Sequence, residues 1–114
     1  MACDGAHEDR ERIADIEGAG RAVNEQIVEQ WGELVVDGHA LFRCECGFDT
    51  CTAAVWLPVG RYERVRADPM TFLIQLGHEL SVAEDVIERG DGYAVVRKHE
   101  DLRHLAEASD PRRR

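Results

Sequence analysis

The stretch Phe42-Arg43-Cys44-Glu45-Cys46-Gly47-Phe48-Asp49-Thr50-Cys51 decides how the rest of the chain is read, with Gly77-His78 as its distant counterpart. Three of the four cysteines lie within eight residues, in a spacing that packing alone does not require. In an extended chain Cys44 and Cys46 point the same way, so both thiols can face one ion if the backbone curls straight afterwards. Gly47 and Asp49 permit that curl, and a four-residue loop over 47–50 returns Cys51 to the first two. Three thiolates and one imidazole close a tetrahedron around zinc, with bonds of about 2.3 Å to sulfur and about 2.0 Å to nitrogen.

The expected metal set is Cys44, Cys46, Cys51 and His78, and the expected cofactor is Zn2+. His78 follows a glycine at a strand end, where an imidazole has room to reach the knuckle. His39 stands five residues before Cys44, which in an extended chain is a separation of roughly 16 Å. Cys3, His39, His99 and His104 stay open as replacements for His78, and His7 is the weakest. Closed Cys3His sites are structural as a rule, whereas a catalytic zinc keeps one position for water. Glu45 between the cysteines and Glu79 beside His78 are the candidates for a general base, and both read as solvated side chains. No H-E-x-x-H or deaminase pattern is present.

Outward from the knuckle, Ala40–Cys44 and Thr52–Leu57 read as strands running into and out of the cluster. Pro58 leads a short helix with Val59, Tyr62 and Val65 inward, stopped at Asp68-Pro69. Thr71–Leu76 is a third strand, ending at Gly77-His78. Ser81–Glu84 has capping-box spacing, read as a turn followed by strand. Val86–Arg89 and Tyr93–Arg97 flank Gly90-Asp91-Gly92 as a hairpin. Glu100–Ala108 is a last helix with Leu102, Leu105 and Ala106 inward.

Before the knuckle, residues 10–36 form an acidic amphipathic helix. Ile13, Ile16, Gly20, Val23, Ile27, Gln30 and Leu34 step along one seam flanked by Trp31, with Glu17, Arg21, Glu25 and Glu29 on the opposite side. Gly18 and Gly20 each weaken a helix by roughly 1 kcal/mol against alanine, so a break is expected there. The seam packs either on its own domain or on a partner protein, a second copy included. Residues 1–9 are expected to be flexible, residues 37–110 form the zinc-stabilised domain, and 111–114 are a basic tail.

Composition sets the outer limits. The 114 residues carry a formal charge of -9, with nine acids against three arginines in residues 1–34. That balance opposes the phosphate neutralisation on which nonspecific nucleic-acid binding depends. A basic protein partner suits the acidic helix better. No apolar run reaches membrane-spanning length, and the N-terminus runs straight into charge, so a cytoplasmic protein without a signal peptide is expected. In a reducing compartment clustered cysteines read as metal ligands or redox groups before disulfides.

The residues also resemble a small uncharacterised bacterial protein family. Its pattern joins F-x-C-E-C, a nearby C, Y-E-x-V-R-A-D-P, F-x-x-x-x-G-H and Y-x-V-V-x-K. Here these are Phe42 to Cys46, Cys51, Tyr62 to Pro69, Phe72 to His78, and Tyr93 to Lys98. The resemblance implies His78 as the fourth ligand, because Gly77-His78 belongs to the pattern and His39 does not. It implies no particular activity. The expectation is therefore an α+β domain with a small, mostly antiparallel sheet and a zinc knuckle. Its expected role is a non-enzymatic interaction or regulatory module, with a thiol redox or metal sensor as the alternative and a small zinc hydrolase third.

Overall fold

The computed structural model describes the backbone of residues 2–30 and 36–112, and the side chains from residue 9 onward within those ranges. Cys3, His7, Trp31, Leu34 and the Arg113-Arg114 end of the basic tail lie outside the described side chains. The order is helix α1 (Ala2–Glu29), strands β1 (His39–Arg43) and β2 (Ala54–Pro58), helix α2 (Val59–Arg66), and strands β3 (Thr71–Gln75), β4 (Glu84–Arg89) and β5 (Tyr93–Lys98). A single 3-10 turn (Glu100–Leu102) then leads into helix α3 (Arg103–Ala108). The fold class is α+β. None of the described helices is long and apolar enough to cross a membrane.

Instead of one sheet there are two, both antiparallel: a ribbon β1-β2 and a three-stranded sheet in the order β3-β5-β4. The ribbon gives way at the knuckle. Beyond Arg43 the chain leaves β2 and turns to β3, where the Glu45 amide donates to the Leu73 carbonyl at 2.7 Å. Strands β3 and β5 are buried on both faces, whereas the edge strand β4 is largely exposed beyond Glu84. Leu73, Tyr93 and Val95 pack with Phe42, Leu57 and Tyr62 of the ribbon and α2. Phe72, Ile74, Ala94 and Val96 pack on the other side with Met70, Ala106 and two of the thiols.

Helix α2 follows Pro58 and buries Val59, Tyr62 and Val65 as expected, and Arg66 with them. Residues 81–83 form a turn that leads into β4, and Leu102 and Ala106 face inward at the end of the chain.

Helix α1 departs from expectation in three ways. Its backbone is already helical at Ala2, so residues 2–9 continue the helix where a loose lead-in was expected. It runs unbroken through Gly18 and Gly20. Both glycines are close-approach positions: a Cβ on Gly18 would stand 2.8 Å from the Ser109 side chain, and one on Gly20 would stand 3.4 Å from the Glu45 Cα. Third, the inward face is turned away from the apolar seam. Glu17, Arg21 and Asn24 are fully buried with Ile13 and Ala14, whereas Val23 is 42% exposed. Apolar spacing cannot see this rotation, because the polar side chains are drawn in by specific partners.

Those partners are distributed along the helix. Arg21 donates to the Pro69 and Ala106 carbonyls, both at 2.7 Å, and its guanidinium lies 4.2 Å over the Phe72 ring. Glu17 bonds Lys98, the one lysine of the chain. Asn24 grips the free edge of β1, accepting from the Arg43 amide at 2.7 Å and donating to the Arg43 carbonyl at 2.8 Å. One amide side chain thus replaces the missing neighbour strand.

Candidate metal centre

Cys44, Cys46, Cys51 and His78 converge. One potential ligand atom from each lies within 4.8 Å of all the others. Among the described residues this is the one such group of histidines, cysteines and carboxylates. The other histidines lie elsewhere. His39 stacks on Trp56 with ring centroids 5.5 Å apart, His99 faces Asp85 at 3.4 Å, and His104 is exposed on α3.

Each ligand position has a local cause. Cys44 sits just past β1, its amide bonded to the Ala53 carbonyl at 3.0 Å, so the ribbon register fixes where its side chain emerges. The Cys51 amide donates to the Phe48 carbonyl at 3.1 Å, closing the knuckle turn. Gly47 has no side chain because α1 leaves no room for one: a Cβ would stand 2.6 Å from Ile13 Cγ2 and 2.8 Å from Leu80 Cδ1. His78 is delivered by a turn in which its amide donates to the Gln75 carbonyl at 3.1 Å, with Gly77 at φ +86°. Open space surrounds Gly77, so its backbone conformation, and not crowding, calls for glycine there.

The nitrogen that faces the thiols is Nδ1, 3.6 Å from Cys44 Sγ and 3.5 Å from Cys51 Sγ. One imidazole nitrogen has a single in-plane site, either a proton or a lone pair. It cannot direct that site at two sulfurs at once, whereas a cation between the three atoms satisfies all of them. Phe48 covers the imidazole edge-on, with ring centroids 6.2 Å apart.

Electrostatics around the thiols are divided. Burial pushes the Cys44 thiol up, opposed chiefly by the Gln75 amide, which donates to Cys44 Sγ at 3.1 Å. Burial raises Cys46 as well, against a hydrogen bond from the Phe48 amide. Left to themselves, both sulfurs stay protonated. A bound cation reverses this, since a coordinating thiol is deprotonated outright. The two amides are then placed to stabilise thiolate charge, as the second shell of a metal site does.

Glu45 corrects the expectation of a solvated side chain. As side chains alternate along the chain just past β1, the two cysteines flanking it turn one way and Glu45 the other, into the core beside Tyr62. It has no exposed surface. The Tyr62 hydroxyl donates to Oε2 at 2.6 Å, Asn24 Nδ2 to the same oxygen at 2.8 Å, and the Leu73 amide to Oε1 at 2.9 Å. Burial raises its affinity for a proton, and these three donors lower it. Burial and then the Glu45 charge also push the Tyr62 phenol up. This carboxylate faces away from the thiols and pins β1, α1, α2 and β3 behind them. The signal for it lay in the C-E-C spacing: if both cysteines face the ion, the residue between them cannot.

The fold and site therefore define a class: a small α+β protein with three cysteines and a histidine gathered at one knuckle, able to hold a metal ion. Comparison with protein-family models, with curated proteins and with solved structures finds no match, so the argument for function rests on the site itself.

Proposed function

We propose that the chain is a zinc-stabilised module in which Cys44, Cys46, Cys51 and His78 Nδ1 hold one structural Zn2+. The observation that carries this is the pair of sulfur–nitrogen separations, 3.5 and 3.6 Å. In a tetrahedron with metal bonds of about 2.3 Å to sulfur and about 2.0 Å to nitrogen, that edge is about 3.5 Å. The donor set supports zinc over harder ions, because magnesium and calcium take oxygen ligands. Three thiolates and an imidazole complete four-coordination and leave no protein-imposed opening for water, which favours a structural role over a hydrolytic one.

The experiment is elemental analysis of purified protein combined with cobalt(II) substitution. One zinc per chain, and a cobalt form with tetrahedral, thiolate-rich absorption, are expected. A well-folded sample that holds no metal overturns the reading.

The module's role is interaction or regulation. The outward side of α1 presents Asp9, Asp15 and Glu29 to solvent, which suits a protein partner with a basic surface. Binding of such a partner should weaken steeply with salt. Affinity unchanged across a salt series removes the acidic helix as the contact.

One observation favours the redox reading as a second role for the same cysteines. Cys44 and Cys46 are buried, whereas Cys51 is only partly so, leaving one sulfur within reach of an oxidant. Peroxide treatment with a zinc-sensitive dye distinguishes the two. Release of zinc after loss of the Cys51 thiol supports sensing, and retention of zinc under conditions that oxidise exposed thiols leaves the structural role alone.

A further inference from the structure

Three side chains that the metal centre does not use meet beneath α1. Glu17 from α1, Glu84 from β4 and Lys98 from β5 are each without exposed side-chain surface. Lys98 Nζ bonds Glu17 Oε1 and stands 3.7 Å from Glu84 Oε1, too far for a hydrogen bond. Glu84 Oε2 accepts from the Leu80 amide at 3.1 Å. The remaining oxygens, Glu17 Oε2 and Glu84 Oε1, are buried with no hydrogen-bond partner, and both carboxylates lie against the same ammonium.

Two ionised carboxylates and one ammonium would leave this dry cluster with a net negative charge. They would also leave two buried acceptors around one ammonium with no donor. Both faults carry a penalty in a low-dielectric interior. The surroundings do not remedy them. From α1, Arg21 directs its two terminal nitrogens at two carbonyls and lies over the Phe72 ring, and its buried Nε bonds neither carboxylate. From β5, Lys98 is already counted, and its neighbour His99 faces Asp85. The turn after β5 contributes the apolar Leu102. A neutral Lys98 would deepen the excess of negative charge.

One added proton remedies both faults together. We propose that the folded protein carries one proton in this core, shared between the carboxyls of Glu17 and Glu84 and absent from the unfolded chain. The docking of α1 on β4 and β5 is then linked to pH. Burial first, and then the Glu84 carboxylate, hold the Glu17 carboxyl well above the usual glutamate range. The folded state therefore binds the extra proton more tightly than the unfolded one. This contribution is fully present below the ordinary glutamate pKa and is lost as pH rises through the raised folded value. Within that window one proton changes the folding equilibrium constant by tenfold per pH unit. The inference does not depend on which ion the thiols hold.

The test compares the zinc-saturated full chain with its Glu17→Gln variant in denaturant titrations from about pH 5 to about pH 9. The amide of glutamine is neutral and supplies the missing donor at every pH. The wild type should lose stability with rising pH more steeply than the variant, by up to tenfold in the folding constant per unit. Proton release from the thiols is common to both proteins and cancels. Parallel pH profiles overturn the proposal. If the variant fails to fold, carbon-13 NMR of the glutamate carboxyls in the wild type decides. One carboxyl titrating above the usual range is expected, and two carboxyls ionised with ordinary midpoints overturn the proposal.

Discussion

The Cys44–Cys51 knuckle and the inward face of α1 lie against each other, touching at Gly47 and Gly20, yet they secure the fold by different means. The knuckle seats soft ligands at the edge of an apolar cluster and depends on an ion to join them. The helix face brings Glu17, Arg21 and Asn24 inside, each held by groups already in the protein. One region is incomplete without something taken from solution. The other is a web of charge and hydrogen bonds drawn almost wholly from the chain itself, wanting at most the proton proposed for Glu17 and Glu84. Burying ions in this way gives little net stability, but removing one partner leaves the other stranded, which is costly. The two regions should therefore fail differently.

The largest effect belongs to the knuckle. Chelation of the metal, or Cys44→Ser, should unfold at least residues 37–110, because structural zinc in small domains contributes about 10 kcal/mol or more of folding free energy. Circular dichroism with and without chelator reads this directly. A fold that survives both treatments would mean that the α1 web suffices alone, and the contrast between the two regions would disappear.

Glu45 belongs to both regions, standing between two ligands and bonded to Asn24 of α1. Glu45→Ala strands the Tyr62 hydroxyl, Asn24 and the Leu73 amide in the core, and should cost about 3–5 kcal/mol while zinc still binds one per chain. Denaturant midpoints paired with zinc counts separate the two quantities. Loss of zinc at little cost in stability would make Glu45 a ligand-positioning residue first and a core residue second.

Gly77→Ala sharpens the knuckle side. A residue with a Cβ at φ +86° costs about 1–2 kcal/mol, and relaxing that strain swings His78 away from the thiols. Faster metal transfer to a competing chelator should accompany the lowered melting temperature. Unchanged transfer would show that the imidazole arrives without help from that turn.

What could be read in advance divides along the same line. Cys44, Cys46, Cys51 and His78 announced themselves by residue type and spacing, because few residues other than ligands favour that arrangement. The strands around them followed from alternation and turn residues. Helix α1 was visible as a helix, but its rotation was not. Glu17 and Arg21 look solvated to any apolar pattern, and their partners Lys98, Pro69 and Ala106 lie 48 to 85 residues away. Lys98 gave no signal, since a lone lysine among arginines acquires meaning only beside Glu17 and Glu84. Glu45 was legible from the alternation of the Cys44-Glu45-Cys46 run just past β1, had its side-chain direction been followed to the core.

The smallest effect discriminates the helix face most cleanly. Val23 and Asn24 are adjacent, and apolar periodicity assigns the valine to the core and the asparagine to solvent. The structure reverses them, with Val23 42% exposed and Asn24 fully buried against β1 and Glu45. Val23→Ala removes little buried surface and replaces a β-branched residue with the best helix former, so it should change stability by no more than about 0.5 kcal/mol. Asn24→Ala leaves the Arg43 amide and carbonyl without partners on the edge of β1 and removes one donor from Glu45, and should cost about 1–3 kcal/mol. If the valine proves the costlier of the two, the helix is docked by its apolar seam after all, and the buried polar face is misplaced.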